Sequence, residues 1–223
     1  IRLRHEYPDR RVLLDVWEVT AYDGEPQALD AQALAWALPD ELPKHDLLEA
    51  DRPIVTALRL PRLARVLAEG ESLQSIRGSA AQAILVPRAV DSADGLDADA
   101  VAAARAAGHR VFVMGEDVDA VRIAAMARCD GVVLRWRGQS LHVDRSGEFL
   151  VGAHCVDAES ATQAVAEGAH FLVIAPEDGP ISERLLERLC VIVGRPVFAG
   201  WYADARRLEK LQQVGAHGCA VRR

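Results

Sequence analysis

The chain has 223 residues, a length that allows one or two domains, and its composition of 50% hydrophobic and 26% charged residues is that of a globular protein. A formal net charge of -7 argues against a general binder of nucleic-acid polymers or anionic membranes, since either needs a basic face. With no apolar run near the roughly 20 residues that span a bilayer and no opening signal segment, the chain is expected to stay out of membranes.

The elements before residue 60 read as antiparallel. "RRVLLDVWEVTAY" (10–22) is rich in Val, Trp and Thr and suits a strand, and "DGEPQ" (23–27) is a turn cluster. "QALAWAL" (32–38) reads as a second strand. "PDEL" (39–42) suits a helix start, and "EADRPIVTALRL" (49–60) suits a helix with Asp51 as N-cap and Pro53 in its first turn. Because the first residue is Ile1 and "IRLRHEY" already reads as strand, the chain is expected to begin inside a longer protein or to be a processed product.

After residue 60 strands and helices alternate. Strands are expected at 62–68, 81–87, 110–115, 130–136, 148–155, 171–176, 195–200 and 218–221. Helices are expected at 97–109, 119–129, 157–170, 182–194 and 204–217. Near-continuous apolar strands between helices imply a parallel sheet buried on both faces. Eight strands close a (β/α)8 TIM barrel, here of about 160 residues against the roughly 250 that is typical. The fold class is therefore α/β. Four cysteines, Cys129, Cys155, Cys190 and Cys219, stand far apart without a C-x-x-C pair and are expected to be buried free thiols in a reducing cytoplasm.

The tripeptide "GAH" occurs at 152–154, 168–170 and 215–217, with the related "AGH" at 107–109. Gly108, Gly168 and Gly215 each end an expected helix, where glycine takes the left-handed C-cap conformation without strain. Their histidines, His109, His170 and His217, then begin strands, at the stability face of such a barrel, and are expected to be structural. His154 differs. It closes a strand, on the face where barrel active sites are built, and is a candidate binding residue.

Two resemblances cover the chain. Residues 1–61 resemble the C-terminal half of a MutT-type Nudix hydrolase, through "HEYPDRRVLLDVWEV" (5–19), "GEP" (24–26), Gln32 with Trp36, and "ADRPIV" (50–55). The α+β segment so implied lacks the Nudix box, G-x5-E-x7-R-E-x-x-E-E-x-G, which carries the Mg2+-holding glutamates. The resemblance implies a partner in the missing N-terminal Nudix half, and Mg2+ as cofactor. It makes Asp30 a shortened counterpart of a metal-side carboxylate and Asp51 the counterpart of the purine-reading Asn. An Asp accepts but cannot donate as an amide does.

Residues 62–223 resemble the thiamine-phosphate synthase/TenI family of (β/α)8 barrels, which some Nudix proteins carry as a C-terminal fusion. The landmarks are Arg88, "CDGVVL" (129–134), "VGAHCVDAESATQAVAEGAHFLVIAP" (151–176), "RPVFAGWYADA" (195–205) and "VGAHGCAV" (214–221). The resemblance makes Arg88, His154 and Gly200 substrate-binding candidates. It also shows losses. Met114-Gly115-Glu116 replaces an Asn-Asp type pair, "EDGPISE" (177–183) replaces a Thr-rich diphosphate loop, and Trp201 replaces the second Gly of a phosphate turn. An anion cradle needs free N–H groups and little negative charge.

Three functions follow as expectations. The first is a Nudix-type diphosphatase acting on a nucleoside triphosphate such as oxidised deoxyguanosine triphosphate, fused to a degenerate barrel, with this chain inactive alone. The second is a non-catalytic barrel that binds a nucleotide, a small phosphorylated ligand or a protein partner. The third is an active thiamine-phosphate synthase or thiazole tautomerase.

Overall fold

The computed structural model describes residues 1–30, 32–76, 79–88, 96–143, 148–202 and 204–222. Of the quoted landmarks, Ala203 falls outside them.

The chain opens with an antiparallel hairpin of β1 (Arg2–Glu6) and β2 (Arg11–Asp15), closed by the Tyr7 N–H to Arg10 carbonyl bond at 2.8 Å. The strand expected over 10–22 thus stops at Asp15, and none forms over 32–38. "QALAWAL" alternates as a strand does but finds no chain to pair with, and a strand without a ladder leaves its backbone groups unpaired. Instead of a helix at 39–42, Glu41 Oε2 accepts the Leu38 N–H and a single 3-10 turn follows at Leu42–Lys44. The expected helix at 49–60 is a 3-10 turn, Glu49–Asp51, running into α1 (Arg52–Arg59). Asp51 occupies the N-cap position without a side-chain cap bond. Its backbone is already helical (φ -86°, ψ -17°), whereas a capping side chain needs the extended conformation.

Eight parallel strands then close a barrel: β3 (Leu63–Val66), β4 (Ala83–Pro87), β5 (Arg110–Gly115), β6 (Gly131–Arg135), β7 (Leu150–Cys155), β8 (Phe171–Ile174), β9 (Val197–Tyr202) and β10 (Gly218–Val221). Each strand pairs with the next in sequence and β10 returns to β3. Helices α2 (Ala98–Ala106), α3 (Val118–Met126), α4 (Ala158–Ala166), α5 (Glu183–Val193) and α6 (Leu208–Gln213) follow β4, β5, β7, β8 and β9. After β3 a 3-10 turn, Leu73–Ile76, stands in place of a helix, which helps keep the barrel short. Acidic and hydroxyl N-caps start several of these helices. Asp157 and Ser160 form a capping box on α4, and Asp97, Asp117 and Ser182 cap α2, α3 and α5.

The side-chain period of two splits the core. Ala64, Val66, Leu85, Phe112, Val133, Phe171, Val173, Phe198 and Ala220 point into the barrel, and the alternate residues pack under the helices. Phe171 sits edge-on to both Phe112 (5.5 Å) and Phe198 (6.0 Å). That stack requires the glycine of the first "GAH", because a Cβ on Gly152 would lie 2.4 Å from the Phe171 ring.

The remaining three copies are punctuation with a specific job. Gly108, Gly168 and Gly215 have φ of +89°, +102° and +99°. Each following histidine bonds a backbone group at the N-terminal end of the barrel. His109 Nδ1 lies 3.0 Å from the Ala81 carbonyl, His170 Nδ1 accepts the Val151 N–H at 3.0 Å, and His217 Nε2 lies 2.8 Å from the Leu60 carbonyl.

The N-terminal segment packs onto the barrel. Leu3 of β1 is buried, with β1 against α5, and Leu60 at the end of α1 enters the barrel's interior cluster. The four cysteines are free and buried, and burial pushes the thiols of Cys129, Cys155 and Cys190 up to about 12.

Candidate functional site at the barrel mouth

Of the expected site residues, the strand C-termini gather His154 into a cluster with Arg135, Trp201 and Arg222. His154 is the inward-facing residue at the end of β7 and pairs in register with Arg135 of β6 on one side and Val173 of β8 on the other. Its ring meets the edge of Trp201 at 5.2 Å, and Arg222, just beyond β10, holds its guanidinium 6.0 Å above the same indole. Trp201 and Met114 pack down onto the interior cluster and form its top layer. The His154 Nε2 is enclosed and, among the described residues, has no hydrogen-bond partner. Burial, the largest effect, holds this imidazole below its ordinary value; the Ala175 backbone, second in size, opposes it, and the charges of Arg135 and Arg222 add to the lowering, so the ring is neutral near pH 7.

The charged rim is internally paired. Arg135 donates to Glu177 (3.0 Å) and lies 3.9 Å from Glu116, and Arg137 donates to Glu116 (2.8 Å). Arg88, expected to meet a phosphate, is turned toward the start of α3. It donates to Asp117 (2.6 Å), the residue that also caps that helix, and lies 3.7 Å from Asp119. Gly200 is not in an open turn. It is buried within β9, and a Cβ there would lie 3.3 Å from Val173 Cγ1, so its lack of a side chain serves packing.

Asp30 and Asp51 are elsewhere, in the N-terminal segment. Asp30 is exposed and its N–H donates to Gln32 Oε1 at 2.9 Å. Mg2+ takes about six oxygen ligands near 2.1 Å. Among the described residues no three His, Cys, Asp or Glu side chains gather as a metal site, so the residues present do not fit that ion.

Arg135 and Arg222 were not singled out by sequence reasoning, yet both flank His154. Counting in twos along "GVVLR" from the inward Val133 reaches Arg135, and counting from Ala220 reaches Arg222, so the alternation held that signal. A second unforeseen group lies at the opposite end. The buried Asp130 accepts from Arg110 (3.0 Å) and the Val111 N–H (2.8 Å), and Arg110 also donates to Asp40 (2.6 Å).

The fold and this arrangement define the class: a closed (β/α)8 barrel. No family model matches the chain, and no curated protein matches it. Among solved structures it is similar to a thiamine phosphate pyrophosphorylase from Pyrococcus furiosus, at 20% identity and TM-score 0.57, covering 72% of this chain and 85% of that one. It is also similar to an N-acetylmannosamine-6-phosphate 2-epimerase from Clostridium perfringens (14%, TM-score 0.54, 80% and 90%). A glycerol uptake operon antiterminator regulatory protein from Listeria monocytogenes has a comparable likeness (15%, TM-score 0.51, 72% and 91%). These likenesses establish a barrel like that of thiamine-phosphate synthase. Among the described residues, no helix is long and apolar enough to cross a membrane.

Proposed function

We propose that the chain is the C-terminal part of a Nudix-type nucleoside triphosphate diphosphatase, carried on a barrel that does no chemistry of its own. The observation behind this reading is the distribution of exposed apolar surface. Of fifteen large apolar side chains exposed among the described residues, eleven lie between Leu13 and Leu58. Leu29, Trp36 and Trp17 are 85%, 82% and 78% exposed. Tyr22 stacks on Trp36 at 6.5 Å, and large apolar side chains exposed together in one segment suit an interaction surface. In the proposed reading, the segment bearing the Nudix box covers this surface and brings the Mg2+-holding glutamates with it.

The test is pyrophosphate release from a nucleoside triphosphate panel with Mg2+. The chain alone releases none. A longer protein in which a Nudix box precedes these residues releases it from an oxidised purine triphosphate. Turnover by the chain alone that Asp30→Ala abolishes would overturn the reading.

For the barrel, pairing at the mouth is the supporting fact. Arg88, Arg135 and Arg137 face carboxylates, whereas a departing diphosphate needs preorganised donors, each worth about 10²–10³ in rate. Residues 1–223 expressed in a bacterium without its own thiamine-phosphate synthase will not restore growth in thiamine-free medium. Growth that depends on Arg88 would contradict the non-catalytic reading.

A further inference from the structure

The chain's negative charge is concentrated in one stretch. Residues 12–51 contain ten acidic side chains and one basic one, Lys44, while the other 183 residues contain 25 basic and 23 acidic ones. Apart from this stretch the chain is slightly basic.

Besides Arg2 of the hairpin, which pairs with Asp15, and Arg59 of α1, three basic residues that face the acidic stretch stand at the N-terminal end of the barrel, each just before or at the start of a strand. Arg62, before β3, pairs with Glu18. Arg110, the first residue of β5, pairs with both carboxylate oxygens of Asp40, at 2.7 and 2.6 Å. Arg195, before β9, lies within electrostatic reach of Glu49. These pairs are partly exposed, and buried contacts lie beside them. Leu60 reaches into the interior cluster, Ala50 and Pro53 are buried, and the buried Arg59 joins Asp40 (3.3 Å) to the Glu148 carbonyl (2.6 Å).

We infer that the N-terminal end of this barrel is an electrostatic docking platform for the acidic segment 12–51 together with α1, into which that segment runs, and that holding them is the barrel's role in the chain. The working surface is then the end opposite the mouth, where chemistry is expected in such barrels. The inference rests on the proposed Nudix reading only for what the segment carries; the docking itself stands on the charge match and the buried contact. A surface ion pair by itself contributes little, so the platform works through several pairs arranged around an apolar plug.

The test uses the full chain without nucleotide, which keeps it separate from the diphosphatase assay. Amide hydrogen exchange of α1 is compared between the native chain and Glu18→Gln/Asp40→Asn/Glu49→Gln. The control, Asp23→Asn/Glu25→Gln/Asp30→Asn, removes the same charge from the same stretch at positions away from the platform arginines. At about 0.1 M salt the first variant exchanges at least tenfold faster in α1 and the control stays within about twofold. At about 1 M salt, where screening shortens from ~10 to ~3 Å, the difference from the native chain shrinks. Unchanged exchange in the first variant would overturn the inference. So would an equal effect of the control, which means net charge rather than docking. A difference undiminished by salt, which means lost packing, would overturn it as well. Should the triple variant not fold, the native chain carries the test alone. Its α1 exchange must accelerate between the two salt concentrations, and a flat response overturns the inference.

Discussion

The two ends of the barrel solve the same problem differently. Both carry inward or rim histidines and arginines at strand ends. At the N-terminal end the chain supplies every partner needed: His109, His170 and His217 each bond a backbone group, and Asp40 and Asp130 divide Arg110 between them. At the mouth His154 keeps an enclosed ring nitrogen that has no partner among the described residues, beside Trp201 and a rim of exposed ion pairs. An unsatisfied buried polar atom costs about 1–3 kcal/mol, whereas a satisfied one stabilises modestly. The contrast teaches where structural histidines end. A histidine whose ring bonds the strand beside it needs no ligand to account for it, and the Nε2 of His154 has no such bond among the described residues.

The largest expected effect lies at the N-terminal end. Leu60→Ala empties the interior cluster at its base and should cost about 2–5 kcal/mol in urea unfolding. Arg135→Ala, which breaks rim pairs at the mouth, should cost no more than about 1 kcal/mol. Equal losses would erase the distinction between the ends.

Acid should act on the same end. His217 is 2% exposed and burial lowers its pKa to about 4, from an ordinary value of 6.5. Between those values the unfolded chain binds the proton and the folded chain does not. The histidine's contribution is therefore complete above about pH 6.5 and is lost as pH falls toward 4, roughly 3 kcal/mol in all. Unfolding curves across that window should show stability rising with pH, and His217→Gln should flatten most of the slope. An undiminished slope in that variant would place the acid-sensitive group elsewhere.

The smallest effect has the opposite sign. His154→Leu removes the unpartnered nitrogen and should raise stability by about 1 kcal/mol. A loss of stability would mean that the nitrogen is satisfied in solution, by water for example, and would narrow the contrast between mouth and base.

Much of the barrel was legible in the sequence because its signals are local. Helix caps, the left-handed glycines and the alternation of apolar strands each lie within a few residues, and they placed Gly108, Gly168 and Gly215 and the histidines after them correctly. The inward positions also follow from a period of two once one residue on each strand is oriented. Local pattern failed at 32–38, where alternation without a pairing strand left exposed chain. It failed again at Asp51, whose backbone was already turned into a helix. The candidate site was less legible. His154 was visible at its strand end, but its meeting with Arg135, Trp201 and Arg222 depends on which strands are neighbours and in what register. Likewise nothing near Asp40 in sequence announces Arg110, seventy residues away. Sequence determined the barrel's elements and their faces, since propensity and periodicity act over a turn or a pleat. Tertiary structure decided which charges meet and which nitrogen is left alone, since those depend on closure of the barrel, which brings residues far apart in sequence within a hydrogen-bond length.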